Sequence, residues 1–191
     1  MQISFYLKKC RLNYQPSNLP PIYSFIMTVG FRRITLAILL LARGTLLCGQ
    51  APNIQWQQNI GGSLTDYAYS IQPTNDGGYI VAGSSSSNNG DISGNHGLND
   101  FCIIKLSASG AIVWQKSYGG SGDDIARSIE QTTDGGYIVA GYTDSKDGDV
   151  TGYHVGMQEG GPTWDFWVIK ISSTGALQWQ KALGGTLVDM A

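Results

Sequence analysis

The two histidines of the chain, His96 and His154, each lie two residues beyond a Gly-Asp-(Ile/Val)-(Ser/Thr)-Gly loop, Gly90–Gly94 in one case and Gly148–Gly152 in the other. An imidazole titrates near neutrality and can act as a general base or metal ligand, but a catalytic centre needs such a residue in one place. A histidine that recurs with its loop reads first as part of a repeated structure, with metal ligation as the alternative. The same loops carry Asn89 and Asp91, and then Asp144, Asp147 and Asp149. Closely spaced oxygens in a Gly-containing loop suit Ca²⁺, which takes roughly six to eight oxygen ligands. No bidentate Glu follows at the EF-hand distance, so plain Asp-Gly turns are the preferred reading and Ca²⁺ the minor one. A glycosidase needs two carboxyl groups across a cleft, roughly 5 to 10 Å apart. Glu130 and Glu159 are the only glutamates and nearly all the aspartates recur as turn residues, so no pair stands out. Cys102 sits in the apolar run from Phe101 to Leu106, where a packing role is expected rather than a reactive thiol. There is no GxSxG, no HExxH, no P-loop, and no GxGxxG between a strand and a helix. No residue is therefore assigned as catalytic or cofactor-binding.

What positions these residues is a repeat. Residues 61–94 align without a gap onto 119–152, a period of 58, sharing GGS, the run DGGYIVAG and the Gly-Asp-x-x-Gly loop. Asp100-Phe101 then matches Asp165-Phe166 at a spacing of 65, because the second copy holds seven extra residues around Gln158 to Pro162. The landmark WQxxxGG occurs three times, beginning at Trp56, Trp114 and Trp179. Each repeat contains four strand-like runs, in the second copy Ile125–Gln131, Gly136–Thr143, Phe166–Ile171 and Ala176–Ala182. Asp76-Gly77 and Asp134-Gly135 separate the first two runs, and Asp-Gly is a tight-hairpin signal because Gly accepts positive φ. Four antiparallel strands per unit are expected. Ile125 and Ile129 are four apart, as on a helix, but the run is too short for that pattern to decide. The middle runs, such as Tyr137 to Ala140 and Phe166 to Ile169, are apolar without alternation, which implies cover on both faces. Small sheets stacked around an axis supply that cover. A Trp four residues after a turn Gly, Gly110 to Trp114 and Gly175 to Trp179, suits docking between neighbouring sheets.

In the order GGxxxDxAxSI, DGGYIVAG, GD(I/V)(S/T)G, DFWVIKI and GxxxWQK, residues 55–191 resemble the β-propeller repeats of exported bacterial proteins, many with a C-terminal type IX secretion sorting domain. The resemblance implies four-stranded antiparallel blades of an incomplete β-propeller. It also implies relatives with further blades that close into a ring. The Gly-to-Trp spacing is also similar to the docking motif of quinoprotein dehydrogenases, whose repeat is shorter; no cofactor residue is carried over. The ending at Asp189-Met190-Ala191 is read as a third repeat cut inside its first strand.

Composition agrees with an exported β protein. The chain is 42% hydrophobic and 14% charged, with 26 glycines and 10 tyrosines, a balance suited to short strands and frequent turns. Residues 1–50 carry Lys8, Lys9, Arg11, Arg32, Arg33 and Arg43 and no acid, whereas all 14 acids fall after Gln50. An acidic mature part repels phosphate backbones, so a nucleic-acid partner is disfavoured. From Met27, the basic pair Arg32-Arg33, the apolar run Ile34 to Ala42 and the small residues that follow have the layout of a secretory signal peptide. The apolar run is broken by Arg43 and is far short of the roughly 20 residues a spanning helix needs. Cleavage after Gly49 or Ala51 removes Cys10 and Cys48 and leaves Cys102 without a disulfide partner. Cys48 raises a lipoprotein alternative, against which Leu47 is a large residue at the processing site.

The resulting organisation is 1–26 a mis-assigned N-terminal extension, 27–50 a signal-peptide helix, and 51–60 a strand completing a preceding or closing blade. Repeat 1 spans 61–118, repeat 2 spans 119–183, and 184–191 begins repeat 3. The expected function is a non-catalytic secreted or bacterial cell-surface module that binds a protein or glycan, with no transmembrane segment after signal removal. The alternatives are a fragment of an exported carbohydrate-active or oxidative enzyme whose catalytic residues lie elsewhere, and a non-functional fragment. The insertion containing Trp164 breaks the repeat and is the expected partner surface.

Overall fold

The computed structural model describes residues 52–158 and 161–189. The extension at 1–26 and the signal peptide at 27–50, with Cys10 and Cys48, lie outside the described residues, as does Glu159. Ten strands and no helix occur among the described residues. They are β1 (Asp66–Pro73), β2 (Tyr79–Ser85), β3 (Asp100–Leu106), β4 (Ile112–Tyr118), β5 (Asp124–Gln131), β6 (Tyr137–Thr143), β7 (Met157–Gln158), β8 (Gly161–Pro162), β9 (Asp165–Ile171) and β10 (Leu177–Leu183). The order β1-β2-β3-β4 forms one four-stranded sheet, β10-β9-β6-β5 a second, and β7-β8 a small hairpin in the inserted stretch. All pairings are antiparallel. Each repeat is thus one up-and-down sheet, with strand ends within a residue or two of those expected from the second copy. Residues 52–60 and 184–189 form no strand among the described residues, and Asp189 N–H donates to Trp164 O at 2.6 Å. An extended segment becomes a strand only where a neighbour takes its backbone groups.

The first strand of each repeat is a strand despite its helix-like spacing, because it is bulged. Register shifts between Ala68 and Ser70 in β1, and between Ala126 and Ser128 in β5, leave Tyr69 and Arg127 as extra residues. One extra residue inverts the in-out alternation, so Ala126 and Ile129, three apart, both enter the same core cluster. A further bulge lies between Ile112 and Trp114 in β4, and another between Leu177 and Trp179 in β10. At the β1–β2 and β5–β6 turns, Gly77 and Gly135 have φ of 79° and 80°. Asp76 and Asp134 fasten these turns through the amides of Gly78 and Gly136 and the hydroxyls of Thr74 and Thr132.

The two sheets pack face to face. One core cluster joins Ile80, Ala82, Phe101 and Ile103 of the first sheet to Ala126, Ile129, Val139, Trp167, Ile169 and Ile171 of the second. Phe101 and Trp167 meet at 4.6 Å between ring centroids. Burial of this many apolar side chains, each contributing about 1.5–3 kcal/mol, is the main force holding the sheets together. The opposite face of the first sheet builds a second cluster from Val81, Cys102, Ile104 and Leu106 with Ile60 and Ile92, flanked by Trp56 and Tyr79. Both faces of the middle strands are therefore apolar, as their unalternating sequence requires. On the second sheet, Ile138, Ala140, Phe166 and Val168 occupy the positions of Ile80, Ala82, Phe101 and Ile103, yet are only half-buried.

Candidate functional site

The conspicuous polar groups of the chain gather at one end of the sheets, where the loop after the second strand meets the Gly-Gly turn before the first. In repeat 2 the Asp149 carboxylate accepts from the Gly119 amide at 3.2 Å, Asp147 from Ser121 at 2.7 Å, and Asp144 from Asp123 at 2.6 Å. The backbone closes the same contact, with Asp149 N–H donating to Gly119 O at 2.9 Å. In repeat 1, Asp91 accepts from Gly61 at 3.2 Å and Asn89 from Ser63 at 2.8 Å. The loop residues read first as Asp-Gly turns and second as Ca²⁺ candidates thus cap orphan backbone amides. The Ser121 amide and hydroxyl hold the Asp147 carboxyl below the usual range, whereas burial raises that of Asp144. Among the described residues, no three His, Cys, Asp or Glu side chains converge in a way that could hold a metal ion.

Behind this latch lies a row of buried carboxylates. Asp100 and Asp165 open the third strand of each repeat and are fully buried, as is Asp124 at the start of β5. Each of the two histidines binds the first kind. His96 approaches Asp100 Oδ2 with Nδ1 at 2.6 Å and donates its amide at 3.0 Å; His154 does the same to Asp165 Oδ2 at 2.9 and 2.8 Å. The histidines are therefore equivalent structural partners of a strand-initiating aspartate, and their rings remain partly exposed. Asp124 Oδ2 accepts from the Gly120 amide and the Ser145 hydroxyl, both at 2.8 Å. Burial nonetheless pushes the Asp124 carboxyl up to about 6, against the hydrogen bonds from Thr143, Gly120 and Ser145 and with the help of the charge on Asp100. Burial likewise raises Asp100, opposed by His96. This carboxylate row was not singled out from sequence. The signal was present, since Asp66, Asp124 and Asp189 each sit five residues after the first Gly of a Gly-Gly pair, but it reads as one more turn residue.

At the opposite end, Lys105 and Lys170 reach back across their sheets to Asp76 and Asp134, each pair at 2.9 Å. The Thr74 and Thr132 hydroxyls, followed by these lysines, hold both carboxyls well below the usual aspartate range. The tryptophans mark the joint between sheets. Trp114 packs over Gly175 of the second sheet, donates Nε1–H to Ser173 O at 3.2 Å, and meets Tyr137 edge-on at 6.1 Å. Trp56 lies over Gly110 in the equivalent way. The bulged residues form a seam along the free edges of β1 and β5: Arg127 stacks on Tyr69 at 4.3 Å, Tyr69 stacks on Tyr67, and Arg127 donates to the Tyr142 hydroxyl at 2.8 Å. Trp164, from the inserted stretch, packs edge-on against Tyr142 at 4.8 Å. Cys102 is buried and its thiol is pushed up to about 12 by that burial, so it carries no thiolate at neutral pH.

No protein-family model matches the sequence, and no curated protein matches it.

Proposed function

We propose that this chain is a repeat module of β-propeller type, exported to the bacterial surface or beyond, which binds a protein or glycan partner and performs no catalysis of its own. The observation that carries the architectural half is the stacking of the two repeats. Sheet two covers Ile80, Ala82, Phe101 and Ile103 of sheet one, while its own Ile138, Ala140, Phe166 and Val168 stay half-buried on the far side. A stack in which each unit presents the face its neighbour has already covered is open to continuation by further units. Trp114 over Gly175 and Trp56 over Gly110 are the same docking contact used twice, which favours a constant rotation between units.

The functional half rests on how the polar residues are spent. The loop aspartates cap amides, the histidines hold strand-initiating aspartates, and the lysines secure turns. Such a framework frees its connecting loops for recognition, the usual division of labour in repeat scaffolds. The test has two parts: surface labelling of intact bacterial cells that express the gene, and a glycan array probed with the purified chain. Labelling together with saturable binding supports the proposal. Hydrolytic or oxidative turnover that is lost in Asp124→Asn overturns it.

A further inference from the structure

The buried polar atoms that lack a hydrogen-bond partner among the described residues include Asp100 Oδ1 and Asp165 Oδ1, equivalent atoms of the two repeats. Leaving a buried carboxylate oxygen unpaired is costly, and a fold that does so twice at the same repeat position calls for a physical account. The surroundings supply one. A methyl group placed on Gly119 would stand 3.0 Å from Asp100 Oδ1 and directly against Asp124 Oδ2, so these two oxygens border the same small space. At Gly184 the corresponding distances are 2.5 Å to Asp165 Oδ1 and 2.7 Å to Asp189 Oδ2. Each strand-initiating aspartate thus has one oxygen committed to a histidine, while the other borders the same space as a carboxylate oxygen of the aspartate that follows the next Gly-Gly pair.

We propose that Asp100 and Asp124, each with one buried oxygen that lacks a hydrogen-bond partner, hold one proton between the two carboxyl groups, so that the joint between the two repeats tightens when the proton is taken up in mildly acidic solution and loosens when it is lost. Two carboxylates that share a site do not both ionise readily. The other charged groups around the pair are His96, from the loop before β3, Asp147 and Asp149, from the loop after β6, and Asp123, next to Asp124. Among the described residues no lysine or arginine forms an ion pair with Asp100 or Asp124. The elevated carboxyl of Asp124 agrees with a proton held in this position. A metal ion fits less well. Among the described residues, no three His, Cys, Asp or Glu side chains converge in a group that could hold one, whereas a single proton needs only the two carboxyl groups.

The experiment is a carboxyl-carbon NMR titration of the full chain between about pH 3 and pH 8, paired with thermal unfolding over the same range. The signals of Asp100 and Asp124 are expected to move together, with an upper midpoint at least about one unit above an ordinary aspartate, and the melting temperature to rise as pH falls through that midpoint. In Asp100→Asn the Asp124 midpoint drops and the melting curve flattens over the same window. Independent titration of the two carboxyls in the usual aspartate range overturns the proposal, and so does a melting temperature raised by CaCl₂, reversed by EDTA and insensitive to metal in Asp100→Asn. If Asp100→Asn does not fold, the titration of the unsubstituted chain decides alone.

Discussion

Replacing Trp114 by alanine, and separately Trp179 by alanine, compares one residue in two states of the same repeat. Both are last-strand tryptophans placed beyond a bulge. Trp114 is half-buried against the core shared by the sheets, covers the Gly175 turn, bonds Ser173 O and touches the Tyr137 edge. Trp179 keeps 48% of its surface in water. A fully buried Trp→Ala change costs about 3–5 kcal/mol, combining lost transfer free energy with a residual cavity. Trp114 is not fully buried, and the Ser173 carbonyl that it bonds is open to water, both of which lower that figure; about 2–3 kcal/mol is expected. At Trp179 the loss is about 1 kcal/mol or less, in the range of surface substitutions. Urea unfolding followed by far-ultraviolet circular dichroism reads both values, since the change in midpoint at constant slope converts directly to free energy. Equal losses at the two positions would refute the assignment of this tryptophan as the dock between adjacent repeats, leaving it a residue of its own sheet alone.

Three further outcomes follow from the same geometry. Gly135→Ala and Gly175→Ala both force a Cβ onto a positive-φ backbone, at 80° and 78°, but only Gly175 has neighbours, with Lys116 Cγ at 2.9 Å and the Trp114 ring at 3.3 Å. Gly135→Ala is expected to cost about 1 kcal/mol and Gly175→Ala clearly more, measured by the same urea titration. Asp76 and Asp134, whose carboxyls are depressed by threonine hydroxyls and lysines, add stability that is complete above the ordinary aspartate value of 3.8 and disappears as pH falls below it. Lys105→Met is therefore expected to lower the melting temperature at neutral pH and to converge on the parent in acid, which reduces the acid-side slope of melting temperature against pH. Cys102, with its thiol raised to about 12, should resist an aromatic disulfide reagent in the folded protein at mildly alkaline pH and react at once in denaturant; prompt reaction without denaturant would mean that the second cluster opens readily.

Sheet composition was legible because the repeat doubled every signal. DGGYIVAG, seen twice at one spacing, placed the first turn and the second strand together, and the strands Tyr79–Ser85 and Tyr137–Thr143 follow it. The bulge was the opposite case. The run from Ile125 to Ile129 read as ambiguous because an extra residue, Arg127, disturbs the period-two pattern that identifies a strand. The loop aspartates were visible as a cluster, but their purpose was not: whether a carboxylate meets a cation or an amide depends on the Gly119–Ser121 segment brought against it from nearly thirty residues away. The buried row of Asp100, Asp124 and Asp165 was hidden for a different reason. Its members belong to different strands, Asp100 comes beside Asp124 only when two repeats pack, and a one-dimensional pattern says nothing about burial of that kind.

The bond from His154 to Asp165 spans eleven residues, while its counterpart from His96 to Asp100 spans four. Seven residues have entered the second loop without displacing either end of the contact or the register of Asp165 against Thr143. Loop closure grows only logarithmically with length, so lengthening such a loop severalfold costs about 1 kcal/mol. The histidine and aspartate thus behave as the two sides of a socket, below which the sheet is indifferent to what is inserted above. A repeat built this way can change the chemistry of its exposed loops one unit at a time, and foreign peptides grafted between His154 and Asp165 should be carried without loss of the sheet beneath.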